Sequence, residues 1–382
     1  MSGSTLTQRP TRIRVDLDAI SHNLRAIRAQ VRVPVMGIVK ANAYGHGLVP
    51  VARHLQAQGV DQLGVAFVEE GIALRRAGIT VPILVLGGMF GPQLTQFIAN
   101  DLQLTVSSLD KLRQAEAAAE QMRRKAVIHL KIDTGMERIG VHSYSARAFI
   151  EAALASRWCE LKGIYSHLAC ADDPASPMTA LQVERFLEAC AHIERAGAPM
   201  PLRHLANSGG VLHAPDTWLD MVRPGIALYG VLPDPLSRPA IALRPALSLL
   251  SQVVYFKVVQ AGRAVSYGGA WQAPVDTRIV TVPIGYGDGY PRALSSRGEV
   301  LIRGQRHPIV GRICMDQFMV DLGPQGTAYN EDEVVLIGAQ GSQCIRVEEV
   351  AQAANTIAYE ILTGLNERIP RQYTGAAGVY AG

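Results

Sequence analysis

The sequence predicts α/β plus all-β: an N-terminal (β/α)8 TIM-type barrel over residues 12–238, followed by a C-terminal mostly-β domain over residues 239–382. Residues 1–15 are expected to pair into the second domain's sheet. Three observations carry this reading. From about residue 18 to 225, short β-rich runs alternate with stretches of helical periodicity, giving about eight strand–helix units, the number a closed barrel needs. No GxGxxG turn follows the first strand, as a doubly wound sheet would normally carry. After about residue 240 the helices give way to short strands separated by Gly- and Pro-bearing turns.

The elements follow in order. Asp18 reads as an N-cap before Ile20, Leu24, Ile27 and Val31, which lie on one helical face. Val35 to Val39 is an apolar strand that ends at Lys40, and a helix through Val49, Ala52 and Leu55 closes at Gly59. Further barrel strands are expected at 64–67, 83–86, 102–106, 127–132, 161–166, 202–206 and 221–222, with helices over Leu109 to Met122 and Leu181 to Ala196. In the second domain, strands are expected at 253–259, 278–283, 300–302, 309–313, 318–322 and 333–337, with one helix at 347–354. The Pro-rich stretch from Pro233 to Pro245 holds the boundary, and Ile13-Arg14-Val15 is the segment expected to join the β domain.

Composition narrows the function class. The chain has 382 residues, 48% hydrophobic and 18% charged, with a net charge of +4 and no Lys/Arg block, so no nucleic-acid partner is expected. The five cysteines have no CxxC spacing, which points to a reducing compartment. Met1 to Arg12 is polar and shows no signal-peptide core, and no apolar run reaches the length of a membrane span. A cytoplasmic location without membrane contact is expected.

Catalytic groups in a barrel come from the C-terminal ends of its strands. Here those ends are polar and charged: Lys40, Lys131 with Asp133, His167, Asn207-Ser208 and Arg223. A lysine at the mouth of a buried strand can be desolvated, as a Schiff-base or general-base lysine requires. Past the eighth strand, Arg223-Pro224-Gly225-Ile226 offers backbone N–H groups for an anion, and Ser208 adds a hydroxyl. Arg138 can clamp a carboxylate. His129, Lys131 and Asp133 alternate along one strand, but no HExxH or Cys/His cluster supports a metal.

With these residues in place, the chain resembles the alanine racemase family. The matching segments are 39–47 (VKANAYGHG), 131–138 (KIDTGMER), 204–208 (HLANS), 223–230, 265–268 (VSYG), 285–289 (GYGDG), 311–317 (GRICMDQ), 356–360 (TIAYE) and 368–371 (RIPR). They span nearly the whole chain in the family's order. The resemblance implies a pyridoxal 5'-phosphate enzyme that interconverts L- and D-alanine, supplying D-alanine for peptidoglycan. It also implies a homodimer whose active sites are shared between subunits.

Residue by residue, the resemblance implies that Lys40 carries the cofactor and acts as one proton-transfer base. Tyr267, from the partner subunit, would be the second base on the opposite face, held by His167; racemisation needs two such groups flanking one Cα. Tyr44, Ser208, Tyr359, Gly225 and Ile226 would hold the cofactor phosphate. Arg223, backed by His204, would face the pyridine nitrogen and leave it uncharged, limiting side reactions. Arg138 and the Met315 backbone would bind the substrate carboxylate, and Tyr286, Met315 and Tyr359 would line a tight pocket. Lys131 matches a position often N-carboxylated in the family, a role that chloride can also fill.

Three positions depart from the pattern. Glu137 weakens the carboxylate clamp if it points inward and leaves it intact if it points out. Ala358 and Gly269, beside matched tyrosines, would widen the entrance and relax selectivity toward serine or other amino acids. The other readings are a broader-specificity racemase, a decarboxylase of the same architecture and a non-catalytic pyridoxal-phosphate-binding protein. The last lacks a reason for the β domain that brings Tyr267.

Overall fold

The structure, a computed structural model, describes residues 9–234 and 240–375. It divides into two compact units, one of Ala19–Arg244 and one that takes in the chain up to Asp18 and from Pro245 onward. The expected boundary at 238/239, and residues 1–8 of the segment expected to join the β sheet, lie outside the described residues.

The chain enters through strand β1 (Arg12–Asp16) and the helix Leu17–Val31. That helix begins one residue before Asp18. The cap is Asp16, whose Oδ1 accepts the Asp18 N–H at 2.9 Å, so the acceptor is shifted two residues from the expected one. Ile20, Leu24, Ile27 and Val31 are buried along one face, as their spacing requires.

The barrel strands are β2 (Met36–Ile38), β3 (Gln62–Val65), β4 (Ile83–Val85), β5 (Leu102–Val106), β6 (Ala126–Asp133), the short β7 (Val141–His142), β8 (Cys159–Tyr165) and β9 (Leu202–His204). They pair in parallel in the order β2-β3-β4-β5-β6-β8-β9, with β7 beside β6. Seven strands make the curled sheet, and the eighth position is a bridge rather than a strand. Met221 pairs with His204 and Val222 with Val35, and Met36 N–H donates to the Val222 carbonyl at 2.8 Å, so the ring closes on itself. Strands such as Met36-Gly37-Ile38 are buried throughout, which is why they read as continuous apolar runs. The helix Leu109–Met122 is capped by Ser108, whose Oγ accepts Lys111 N–H at 3.1 Å, and stops where Arg123 turns left-handed at φ +51°.

In the other unit the strands are β10 (Leu247–Gln252), β11 (Tyr255–Val259), β12 (Ala264–Val265), β13 (Trp271–Gln272), β14 (Thr277–Val282), β15 (Glu299–Ile302), β16 (Gln305–Val310), β17 (Phe318–Asp321), β18 (Glu333–Gln340), β19 (Gln343–Ile345) and β20 (Arg371–Thr374). The main sheet runs β11-β14-β17-β16-β15-β18-β10-β1-β20, with β19 on β18. Ile13 to Val15 lie antiparallel to Leu247 to Leu249 and parallel to Arg371 to Tyr373. The expected strand at 253–259 starts two residues later, as β11, and Val253-Val254 link it to β10, a strand the sequence reading did not include. A helix at Ala358–Gly364, absent from the sequence reading, follows Val347–Ala354. Among the described residues no helix is long and apolar enough to cross a membrane.

Candidate active site

Lys40 leaves β2 directly into a left-handed turn. Ala41, Asn42, Ala43 and Tyr44 all sit at φ between +52° and +55°, a run that costs about 1–2 kcal/mol per residue for side chains with a Cβ. Such strain persists only where the surroundings over-determine it, and it concentrates at functional sites. Here the turn is held by Gly45 N–H to the Ala41 carbonyl at 3.1 Å, Gly47 N–H to the Asn42 carbonyl at 2.9 Å and Leu48 N–H to Asn42 Oδ1 at 2.7 Å. Burial pulls the Lys40 amine below its ordinary range, helped by Arg138 and Arg223 and opposed by Glu70.

The turn also delivers Tyr44 to the closing segment of the ring. Its phenol packs so tightly on Gly225 that a Cβ there would lie 2.3 Å from Tyr44 Oη. Ser208 Oγ accepts Gly225 N–H at 2.9 Å and Ala227 N–H at 3.3 Å. The Ile226 amide between them is buried and donates to no acceptor among the described residues. A buried amide without a partner is costly, and an anion oxygen satisfies it.

Arg223 is buried at the same end. Nη1 donates to His204 Nδ1 at 3.1 Å and to the His204 carbonyl at 2.6 Å, and Nη2 donates to the carbonyls of Ser166 at 2.7 Å and Leu205 at 3.1 Å. Four of its five N–H donors are thereby used, and Nε–H is the one left for another acceptor. Burial lowers its pKa to about 10, so it stays cationic at neutral pH. His204 Nε2 meets His129 Nδ1 at 2.9 Å, and His129 Nε2 meets Gln103 Oε1 at 2.9 Å. His129, brought down to about 3 by burial, Arg223 and Lys162, is a neutral link in this chain.

Tyr165 is the floor that the sequence reading passed over. Its ring stacks on His204 at 4.7 Å and lies under both Arg223 and Lys131, at 5.2 and 5.4 Å from the ring centre. Lys131 is buried and bonded to the Ile132 carbonyl at 3.0 Å, and its pKa falls to about 7 through burial and Arg223, with Asp133 opposing. Burial pushes the Asp133 carboxyl up, but the N–H groups of Gly135, Glu137 and Arg138 outweigh it and hold the pKa low. Through those bonds and Met136 N–H, at 2.8–3.2 Å, Asp133 folds the 134–138 loop around itself.

That loop presents Arg138 to solvent, with no hydrogen bond or ion pair from its guanidinium among the described residues. Glu137 is exposed and meets His142 Nε2 at 2.8 Å, the outward-facing of the two alternatives at that position. His167 sits half-buried after β8, and burial with Arg223, Lys131, Arg138 and Lys40 keeps it neutral. The barrel mouth thus gathers Lys40, Tyr44, Lys131, Arg138, His167, His204, Ser208, Arg223, Gly225 and Ile226. Its charge is mainly positive, suited to a ligand bearing phosphate and carboxylate.

Tyr267, Tyr286, Met315 and Tyr359 belong to the other unit. Tyr267 is 69% exposed on a turn fixed by Ser266 Oγ, which donates to the Arg312 carbonyl at 2.7 Å. Tyr286 N–H donates to the Cys314 carbonyl at 3.1 Å and Gly287 N–H to the Met315 carbonyl at 2.8 Å. Ser266, Tyr286 and Gly287 are thereby tied to one segment, 312–315. Tyr359 is half-buried on the helix Ala358–Gly364.

Residues 15–233 match the profile of the alanine racemase N-terminal domain and residues 246–373 that of the C-terminal domain. An alanine racemase of Thermobifida fusca (strain YX) is 44% identical over 368 residues, covering 95% of this chain and 98% of its own. The crystal structure of alanine racemase from D-cycloserine-producing Streptomyces lavendulae superposes with a TM-score of 0.93 at 41% identity, over 97% of this chain and 99% of that one. The alanine racemase of Bartonella henselae with covalently bound pyridoxal phosphate gives 0.87 at 30%, over 96% and 99%. With both family domains present in order and relatives matched along nearly their whole length, the chain belongs to the alanine racemase family and is an isomerase.

Proposed function

We propose that the chain interconverts L- and D-alanine with pyridoxal phosphate held on Lys40, in a homodimer whose sites each take Tyr267 from the partner subunit. The carrying observation is the barrel mouth itself, where a lysine amine depressed by burial and by Arg223 stands at the end of one strand, and Ser208 Oγ with the 225–227 amides and a guanidinium oriented by His204 stand at the ends of others. The barrel's donor set fits the cofactor: Lys40 would supply the amine, Ser208, the Ile226 amide and Tyr44 a phosphate seat, and Arg223 Nε–H a donor for the ring nitrogen; Tyr359 is added to the phosphate ligands by the family resemblance. Once bound, pyridoxal phosphate supplies a conjugated ring that takes up the electron pair left when Cα loses its proton.

The chain's residues do the rest. Lys40, its amine pulled below the ordinary lysine range by burial, accepts or returns a proton on one face of Cα. Tyr267 does the same on the other face, with His167 as its hydrogen-bond partner. Arg223 remains protonated, so it donates to the ring nitrogen without charging it, and competing reactions are restrained. Arg138, with the Met315 N–H, holds the substrate carboxylate. Lys131, with an amine that is substantially neutral near pH 7, attacks carbon dioxide; the new N–C bond forms, a proton leaves to solvent, and the resulting carbamate orients Arg138. D-alanine for peptidoglycan and a cytoplasmic setting complete the reading.

Racemisation measured with Ala, Ser, Lys and Arg tests it. Alanine should be fastest, with serine only modestly worse, since one added oxygen is discriminated by about 1–3 kcal/mol. No racemisation of alanine in the presence of pyridoxal phosphate sinks the proposal.

A further inference from the structure

Glu70 is the third residue of the helix Val68–Arg76, and its carboxylate joins two loops at the barrel mouth. Oε2 accepts the N–H groups of Ala66 at 2.7 Å and Phe67 at 3.2 Å, which caps its own helix. Oε1 turns the other way and accepts the Ala41 N–H at 2.7 Å. Ala41 directly follows Lys40 and opens the left-handed turn, so this bond ties the start of the strained segment to the loop after the neighbouring strand β3.

The same carboxylate is electrostatically placed. Lys40 faces Arg138 on the loop after β6, Arg223 on the closing segment and His167 after β8, with Glu70 the carboxylate acting against the two guanidinium groups. A helix cap alone needs only the bonds to residues 66 and 67. The second oxygen reaches across to the backbone that aims the lysine.

We propose that Glu70 is a positioning residue for Lys40: it clips the left-handed turn to the β3 loop, so fixing how the lysine chain leaves its strand, and sets a negative charge against Arg138 and Arg223. The proposal rests on the reading of Lys40 as the cofactor-bearing base.

Glu70→Gln keeps the size and one carbonyl oxygen but removes the charge, whereas Glu70→Asp keeps the charge and loses the reach. In the Gln holoenzyme, amide hydrogen exchange across 41–44 should rise about tenfold or more, kcat should fall by a similar factor, and KM should change little. The acid limb of its pH–rate profile should move to lower pH, because a negative charge that favours the protonated amine is gone. The Asp variant should show the faster exchange with the acid limb in place. Parental exchange in the Gln variant, or faster exchange with an unmoved pH profile, overturns the proposal. Lys40→Ala separates the two readings. If it racemises like the parent, the Lys40 assignment itself fails; if it is inactive while Glu70→Gln behaves like the parent, only Glu70's role is lost.

Discussion

Arg223 holds His204 at two points, Nη1 donating to the ring Nδ1 at 3.1 Å and to the main-chain carbonyl at 2.6 Å. Because the guanidinium can only donate, His204 must carry its proton on Nε2, which then donates to His129 Nδ1; His129 in turn donates from Nε2 to Gln103. One cation thereby fixes the tautomers of two buried rings and is itself fixed in direction.

Replacing Arg223 with Glu should leave pyridoxal phosphate bound but allow its ring nitrogen to protonate. Racemisation should slow by about tenfold or more, with transamination becoming measurable. Stability should fall too, by about 1–3 kcal/mol for each buried carbonyl left without a donor at Ser166, His204 and Leu205. Parental racemisation without a side reaction would contradict the electronic account.

Gly225→Ala places a methyl 2.3 Å from Tyr44 Oη and 2.9 Å from Cζ. The ring must move, and with it one wall of the phosphate seat. Cofactor affinity, followed by absorbance titration, should drop about tenfold or more while the fold survives. Unchanged affinity would mean that the phosphate sits elsewhere.

Lys131 carries a pH dependence whose sign is fixed. Its folded pKa of about 7 lies below the ordinary 10.5, so the unfolded chain binds more protons between those values, and the non-carboxylated protein should gain stability as pH rises through that window. Lys131→Met should flatten this slope in denaturant titrations. Carboxylation needs the neutral amine, so intact mass should show the added carboxyl group at pH 8 and its loss on acidification. A free ammonium with full activity in bicarbonate-free buffer would refute the carbamate.

Much of this site was legible because strand ends announce themselves: apolar runs stop at Lys40, His167 and Arg223. Two features were hidden for different reasons. Gly163 in β8 looked like a mere strand position, yet a Cβ there would lie 2.2 Å from His129 Nδ1, so this glycine is what admits the ring that continues the Arg223 chain. Glu70 carries no mark in the sequence, since its bond to Ala41 depends on β2 and β3 becoming neighbours. The strand β10 was missed because its Leu247–Gln252 pattern, buried on most positions, lacks the clean alternation of a half-exposed strand.

The shared site is tested by complementation. Lys40→Ala and Tyr267→Ala should each be nearly inactive. Co-expressed, they form mixed dimers with one doubly damaged site and one intact site, so roughly a quarter of parental sites should return with random pairing. No recovery from a verified mixed dimer would mean that the tyrosine serves its own chain.

The most direct test of the whole account is to reduce the purified, cofactor-loaded protein with borohydride and map the modified peptide. The account predicts loss of the visible band and one stable adduct, on Lys40. An adduct on any other lysine, or none, would contradict it.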